Sequence, residues 1–370
     1  MNISSHQRNT WQKLLRNKSA GVGMIIIVLA LLTAVFAYMI SPDHTPDANR
    51  MTIEIGGRNP GFTQLFLKIE KEVVNADVNF FHRLLYGQKD AFDYLPVSSY
   101  TTTKDTLYVQ KYVDEGISEP LLFPLKGRQV KTGEASATGS PRLEIEKIRY
   151  VLGTDKYGRD ILSRLVIGVR VSLGVGLVAV ILSLSIGILL GSLAGYYRGR
   201  VDDAIMWFIN VIWSIPTLLL VFAVTLLLGK GFWQVFIAIG LTTWVNVARL
   251  IRGQVLSIRE MEYVEAARAL GFNDARIIIR HILPNVLGPV IVIAASNFAA
   301  AIVIEAGLSF LGVGVQPPQP SWGLMIKENY NFIITHNPML ALAPGFAIMI
   351  LVLAFNIVGN GLRDALQVKV

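Results

Sequence analysis

Three groups of residues have types and spacings that can do work. The first lies in and around Tyr263 to Asn285, a charged, alanine-rich stretch between long apolar runs. It places Glu260, Tyr263, Glu265, Ala266, Ala267, Leu270 and Gly271 ahead of His281, Leu283 and Pro284. Its chemistry is that of a grip, with charged and small side chains that a partner in water can hold. The second is Asp155, Gly158, Arg159 and Asp160, two carboxylates and a guanidinium in a tight polar turn. The third is Glu305, Gln316 and Trp322, in and after an apolar run in which Glu305 is the only acid. Bond-making chemistry is poorly provided for. There are no cysteines, which excludes disulfides, thiolate metal sites and cysteine nucleophiles. No Walker sequence, His/acid metal cluster or nucleophile elbow occurs. At Lys131-Thr132, Val130 stands where a phosphate loop needs glycine. The expectation is a protein that is not an enzyme, with no catalytic residue, no metal site and no cofactor bound directly.

The elements that hold these residues follow from charge patterning. The chain has 370 residues, 52% hydrophobic and 16% charged, where ordinary globular domains carry about a quarter charged. The deficit is concentrated in windows almost free of charge, as in membrane proteins. Gly21 to Ile40 is the first, and at ~1.5 Å per residue it spans about 30 Å, one bilayer core. It is longer than the ~7–15 apolar residues of a signal-peptide core, so a permanent helix is predicted. Val171 to Tyr197, Ala204 to Leu228, Gly231 to Ala248, Val286 to Val315 and Pro338 to Gly361 follow, with Pro216 expected to kink the second of these. Six spans put both termini on one side. That side then carries fourteen Lys/Arg against two in the short loops opposite, so the termini are expected in the cytoplasm. The net charge of +8 reads as membrane orientation rather than as a nucleic-acid surface. Glycines 174, 176, 187, 191 and 195 predict close helix packing along the second span.

Ser41 to about Arg164 is polar and far too long for a turn. Phe80-Phe81-x-x-Leu84-Leu85 has helical spacing, while Thr106 to Val113 and Arg142 to Glu146 read as strands. Gly133 to Pro141 reads as a loop of small polar residues. A small α+β insert outside the membrane is predicted between the first two spans.

In the first group, Ser257 to Leu270 predicts a helix without Pro or Gly, with Tyr263, Ala267 and Leu270 on one face and Met261 and Val264 beside it. Small Ala266 and Ala267 would let a partner approach closely. Gly271 suits a left-handed helix end. Asn273-Asp274 would cap a second helix, Ala275 to His281, which Pro284 ends or kinks. By pattern alone, a docking helix and an amphipathic helix resting on lipid fit equally well. The turn around Asp155 and Asp160 reads either as a structural loop at the outer membrane edge or as a contact for a binding protein or substrate. Gly307 to Gly323 holds four glycines, three prolines and Trp322, a backbone that cannot face lipid and so packs on protein or lines a water-filled gate. Glu305 sits near the outer end of its span, where a carboxylate costs less, and a pairing with Arg170 is expected.

The order Glu265-Ala266-Ala267, three residues, Gly271, then Leu283-Pro284 resembles the EAA loop of permease subunits of ABC importers. His281 stands where that family usually has Ile, a departure common in its peptide-transporter branch. Leu152 to Asp160 is similar to the element before the second span of these permeases, Gly307 to Gly323 to their last outer loop, and Trp11 to Ala37 to their first-span region. The resemblance covers about 8–40 and 150–366 and is to the C-type permeases of dipeptide, oligopeptide and nickel importers. It implies an all-α polytopic membrane protein of the type I importer permease fold, with six transmembrane helices and the α+β insert outside the membrane between helices 1 and 2. The divisions would be 1–40, 41–150 and 151–370, with the coupling loop at 249–284. It further implies a bacterial inner membrane location, a heterodimer with a homologous permease, two cytosolic ATPases that use ATP and Mg, and an extracytoplasmic substrate-binding protein. No nucleic-acid partner is implied. Dipeptides or oligopeptides would be the cargo, with nickel or another small solute the alternative. A mechanotransmission-type ABC exporter and a membrane sensor with an external ligand domain are the readings from other classes. The first lacks an EAA segment, and the second needs a cytoplasmic signalling domain.

Overall fold

The computed structural model describes residues 12–14, 16–71, 78–103, 106–125, 130–132, 143–229, 231–334 and 337–366. The loop expected over Gly133 to Pro141, together with Trp11, Arg142, Lys230 and Lys369, lies outside the described residues. The chain divides into two compact units. One comprises Met1–Leu32, Val171–Gln316 and Phe346–Val370, the other Thr33–Arg170 and Pro317–Gly345.

The first unit is helical. Its elements are drawn from α1 (Lys18–Val35), α4 (Ile161–Tyr197), α5 (Gly199–Trp213), α6 (Thr217–Leu228), α7 (Phe232–Arg259), α8 (Glu262–Ala269), α9 (Asp274–Arg276), α10 (Leu283–Leu311) and α12 (Met339–Leu366). Among the described residues, α1, α4, α7, the continuous Asp274–Leu311 and α12 are long and apolar enough to cross a membrane. The remaining span was expected as one kinked helix over Ala204 to Leu228. It is instead two helices, α5 and α6, bent by 91° at a break. Pro216 has no N–H to continue the ladder and disfavours helix at the residue before it. The 12 residues of α6 reach only ~18 Å, short of a bilayer core.

The glycines of α4 do what their spacing suggests. A Cβ on Gly187 would lie 2.4 Å from Val247, on Gly191 2.5 Å from the Ala248 carbonyl oxygen, and on Gly195 2.8 Å from Val255. Four-residue spacing puts all three on one side of α4, against α7. Gly176 meets the Phe298 ring in the same way, whereas Gly174 has only ordinary contact.

The second unit contains a six-stranded sheet of order β4-β3-β2-β1-β6-β5. Its strands are β1 (Phe62–Glu70), β2 (Phe92–Thr102), β3 (Thr106–Asp114), β4 (Ile117–Pro124), β5 (Val130–Thr132) and β6 (Leu143–Tyr150). Neighbours run antiparallel except β5 and β6, which are parallel. Leu65 pairs with Val97 and Leu67 with Leu95 across β1 and β2, so one face carries the cluster of Leu67, Val97, Leu107, Val109 and Leu143. Phe66 and Tyr150 point the other way and pack with Ile55. Short helices α2 (Ala37–Ile40), α3 (Phe80–Tyr86) and α11 (Trp322–Asn329) complete this unit.

Candidate functional site

The first unit holds the charged segment Tyr263 to Asn285. The predicted continuous helix from Ser257 is interrupted: α7 ends at Arg259, Met261 is extended, and α8 begins at Glu262. The break lets α8 turn and lay one side on the body of the unit. Val264 and Ala267 are buried there with Ile251, Val255, Ile277 and Ile282. This corrects the expected exposed face, because Ala267 is turned inward. Its small side chain serves packing within the chain. Tyr263, Ala266 and Leu270 point outward, Leu270 being 74% exposed, and Glu260, Glu265, Gly271 and Pro284 are exposed beside them.

The end of α8 is built as expected. Gly271 has φ of +77°, its N–H donates to the Arg268 carbonyl at 2.9 Å, and Phe272 N–H donates to the Ala267 carbonyl at 3.2 Å. This crossed pair is the Schellman closure, which needs a left-handed residue at the position of Gly271. The Asn273 side chain then accepts from Arg276 N–H at 2.8 Å and starts α9. Here a second expectation changes. Pro284 does not end the helix, which runs on from Asp274 to Leu311. Ile277–Ile282 adopts a π-helical turn, and Pro284 falls in the first turn of α10. The wider turn accommodates a ring that would otherwise meet the preceding carbonyls. Leu283 is half-buried against the same apolar cluster.

Side-chain bonds tie this surface to the long helices. Asn285 Nδ2 donates to the Tyr263 hydroxyl at 3.1 Å, and His281 stacks on Phe272 with ring centroids 5.8 Å apart. The Tyr196 hydroxyl donates to Asp274 at 2.6 Å. Arg198 pairs with Glu260 at 2.5 Å, and Arg252 makes two bonds to Asp202 at 2.5 and 2.6 Å. These bonds join α8 and its flanking turns to α4, α7 and α10.

Glu305 and Gln316 also belong to this unit. Glu305 is fully buried, and its carboxylate accepts from the Ser309 hydroxyl at 2.6 Å. Ser309 Oγ in turn accepts from Val315 N–H at 3.0 Å, and Gln316 donates to the Gly314 carbonyl at 2.8 Å. Both residues thus shape the turn that ends α10. The Arg170 guanidinium lies over the Tyr38 ring and donates to the Leu84 carbonyl at 3.5 Å.

In the second unit, Asp155, Gly158, Arg159, Asp160 and Trp322 come together, but inwardly. Asp155 accepts from the N–H groups of Tyr157 and Arg159 at 2.9 Å and from Arg159 Nε at 2.6 Å. Arg159 continues to Glu328 on α11 at 2.7 Å, with side-chain exposures of only 1% for Asp155 and Arg159 and 9% for Glu328. Buried charges of this kind hold only when paired. Gly158 has φ of +74°, and a Cβ there would lie 1.7 Å from the Thr52 carbonyl oxygen. Asp160 caps α4, accepting from Ser163 N–H at 2.9 Å and from its hydroxyl. Burial raises the Asp160 pKa, and the Ser163 bonds only partly oppose it. Trp322 Nε1 donates to the Leu165 carbonyl at 3.0 Å, and its ring lies against Gly168. Sequence reasoning missed Glu328. Its one signal was an acid six residues after Trp322 on a short helix.

Residues 187–370 match the family described as binding-protein-dependent transport system inner membrane component. Residues 7–54 match the N-terminal transmembrane domain of oligopeptide transport permease C. The two matches leave 55–186 between them, where the sheet lies. The glutathione transport system permease protein GsiD of Pectobacterium atrosepticum is 42% identical over 218 residues, 59% of this chain and 72% of that protein. The dipeptide transport system permease protein DppC of Alkalihalophilus pseudofirmus is 43% identical over 235 residues, 64% of this chain and 77% of that one. A solved inward-facing MetNI methionine ABC transporter chain aligns with 55% of this chain and 97% of its own, with a TM-score of 0.47 and 20% identity. Identity at this level over most of a relative's length, on top of the apolar helices, establishes that the chain belongs to the binding-protein-dependent transport inner membrane component family and is a multi-pass membrane permease.

Proposed function

We propose that this chain is one permease subunit of an ATP-driven importer of short peptides, paired with a homologous permease, two cytosolic ATPases and an extracytoplasmic binding protein. The observation that carries the proposal is the outward face of α8, with Tyr263, Ala266 and Leu270 exposed on a helix whose opposite side is locked into α7 and α10. That geometry suits a helix that receives a push and passes it on. The ATPases would use ATP and Mg, close, and carry α8 with the long helices from an inward- to an outward-open arrangement. The positive-charge asymmetry supports cytoplasmic termini and a cytoplasmic α8, with the sheet on the outer side. Asp155 and Arg159 then brace the outer end of α4 and do not touch cargo, since their charges face one another, while Asp160 is held by Ser163 as the cap of α4. Peptide as cargo is supported by relatives named for dipeptide, oligopeptide and glutathione transport.

The test is uptake by the complete complex reconstituted in vesicles with its binding protein and ATP. Accumulation of labelled di- or tripeptides is the expected result. Uptake of nickel without peptide would overturn the cargo assignment and leave the coupling mechanism standing.

A further inference from the structure

The helix α3 (Phe80–Tyr86) has no role in coupling or in the buried charge network. None of its residues is buried, and Phe80, Phe81, Leu85 and Tyr86 are 59%, 73%, 49% and 63% exposed. Such a cluster of large apolar side chains is not left in water without a reason. Helical geometry at 100° per residue places Phe80, Leu84, Phe81 and Leu85 on one arc, and His82, Arg83 and Tyr86 on the other. The pattern is that of a helix lying flat in a bilayer interface, aromatic and aliphatic inward, polar outward.

Two markers within the same unit fix the level of α3. It packs against α2 (Ala37–Ile40), which follows directly on α1 and forms the end of the apolar run Gly21 to Ile40. A run of that length reaches the bilayer boundary at α2. Independently, the Leu84 carbonyl accepts from Arg170, the last charge before the charge-free stretch Val171 to Tyr197 of α4. Arg170 therefore marks the same boundary on a second span. The exposed apolar surface is also continuous in kind with that of the span end, where Val35, Phe36, Met39 and Ile40 are 50%, 40%, 50% and 57% exposed.

We infer that α3 is a membrane-interface anchor, with Phe80, Phe81 and Leu85 inserted among the lipids at the level where α1 and α4 leave the bilayer. The occupant of this face is the lipid surface. The inference rests on α1 and α4 being membrane spans and on nothing about cargo or ATPases. The anchor pins the six-stranded sheet to the bilayer at the start of the loop that leads into β2.

The absence of cysteine makes a clean test. Phe81→Cys and, separately, Leu85→Cys are spin-labelled in the complete reconstituted complex, with Ile117→Cys on β4, which is 59% exposed, as the aqueous reference. Collision with oxygen, which partitions into lipid, is compared with collision with a water-soluble nickel chelate. Labels at 81 and 85 are expected to meet oxygen and be shielded from the chelate, with the label at 117 showing the reverse. Free access of the chelate to 81 and 85 would overturn the inference in favour of a solvated helix. Immobile labels shielded from both reagents would overturn it in favour of a protein partner. Two independent label sites guard against one variant failing to fold.

Discussion

Both charged segments beside the spans carry acids, arginines and a left-handed glycine, yet they use them oppositely. Around α8, Glu260, Glu265 and Leu270 face outward, and the buried side chains are Val264 and Ala267. Around Asp155 the charges are the buried part, with Arg159 held between Asp155 and Glu328. The same residue types therefore make an exposed surface in one place and a buried brace in the other. What separates them is the partner available. α8 has an apolar side to bury, so its charges stay in water. The Asp155 turn is covered by α11, so its charges must satisfy one another.

The largest effect on stability is expected where the brace is cut. Arg159→Met leaves the Asp155 carboxylate buried without its cation and Glu328 with only Arg164 at 3.9 Å, a loss of about 3–5 kcal/mol. Thermal unfolding of the purified complex should show a clearly lowered transition. An unchanged transition would mean that the network is no brace.

The two glycines sharpen the contrast. Both have positive φ, but a Cβ on Gly158 meets the Thr52 carbonyl oxygen at 1.7 Å, whereas nothing lies within 4 Å of one on Gly271. Gly158→Ala should cost more than ~2 kcal/mol, since a forced backbone shift adds to the conformational penalty, and Gly271→Ala about 1 kcal/mol. Equal losses in parallel denaturation curves would erase the distinction.

Leu270→Asp should change stability by no more than about 0.5 kcal/mol, because the residue is exposed. Uptake driven by ATP should nevertheless fall sharply while the fold is retained. Full uptake would remove α8 from the coupling surface.

The smallest effect concerns Asp160. Its folded pKa is raised by burial, so the unfolded chain releases this proton first as pH rises. Stability from this group is present below the ordinary aspartate value and is lost as pH rises through the raised one. Asp160→Asn keeps a side-chain oxygen for the cap and should flatten that slope in a pH series of melting temperatures. An unaltered slope would assign it to another group.

Much of this was legible from local pattern. The charge-free windows located the long helices, Gly271 announced a helix end, and Asn273 announced a cap, because each rests on a rule of a few residues. The strand over Thr106 to Val113 was readable from its pattern. β1 was not, since Leu65, Phe66 and Leu67 are consecutive apolar residues. Both faces of that strand are covered, Phe66 toward Ile55 and Leu67 toward Val97. The 91° break before α6 was underestimated because Pro216 reports a weak point but not the angle taken there.

Sequence by itself determined that this is a membrane permease with a charged segment between two long apolar helices. Those features are carried by hydrophobic length, charge asymmetry and the order of a few residues, all of them local. Only the tertiary structure decided which side of α8 is offered outward, that Ala267 packs inward, and that Glu328 closes the ion pairs of Arg159. Each of these depends on contacts between residues far apart in the chain, as Arg159 and Glu328 are. No periodicity within one segment records such a contact.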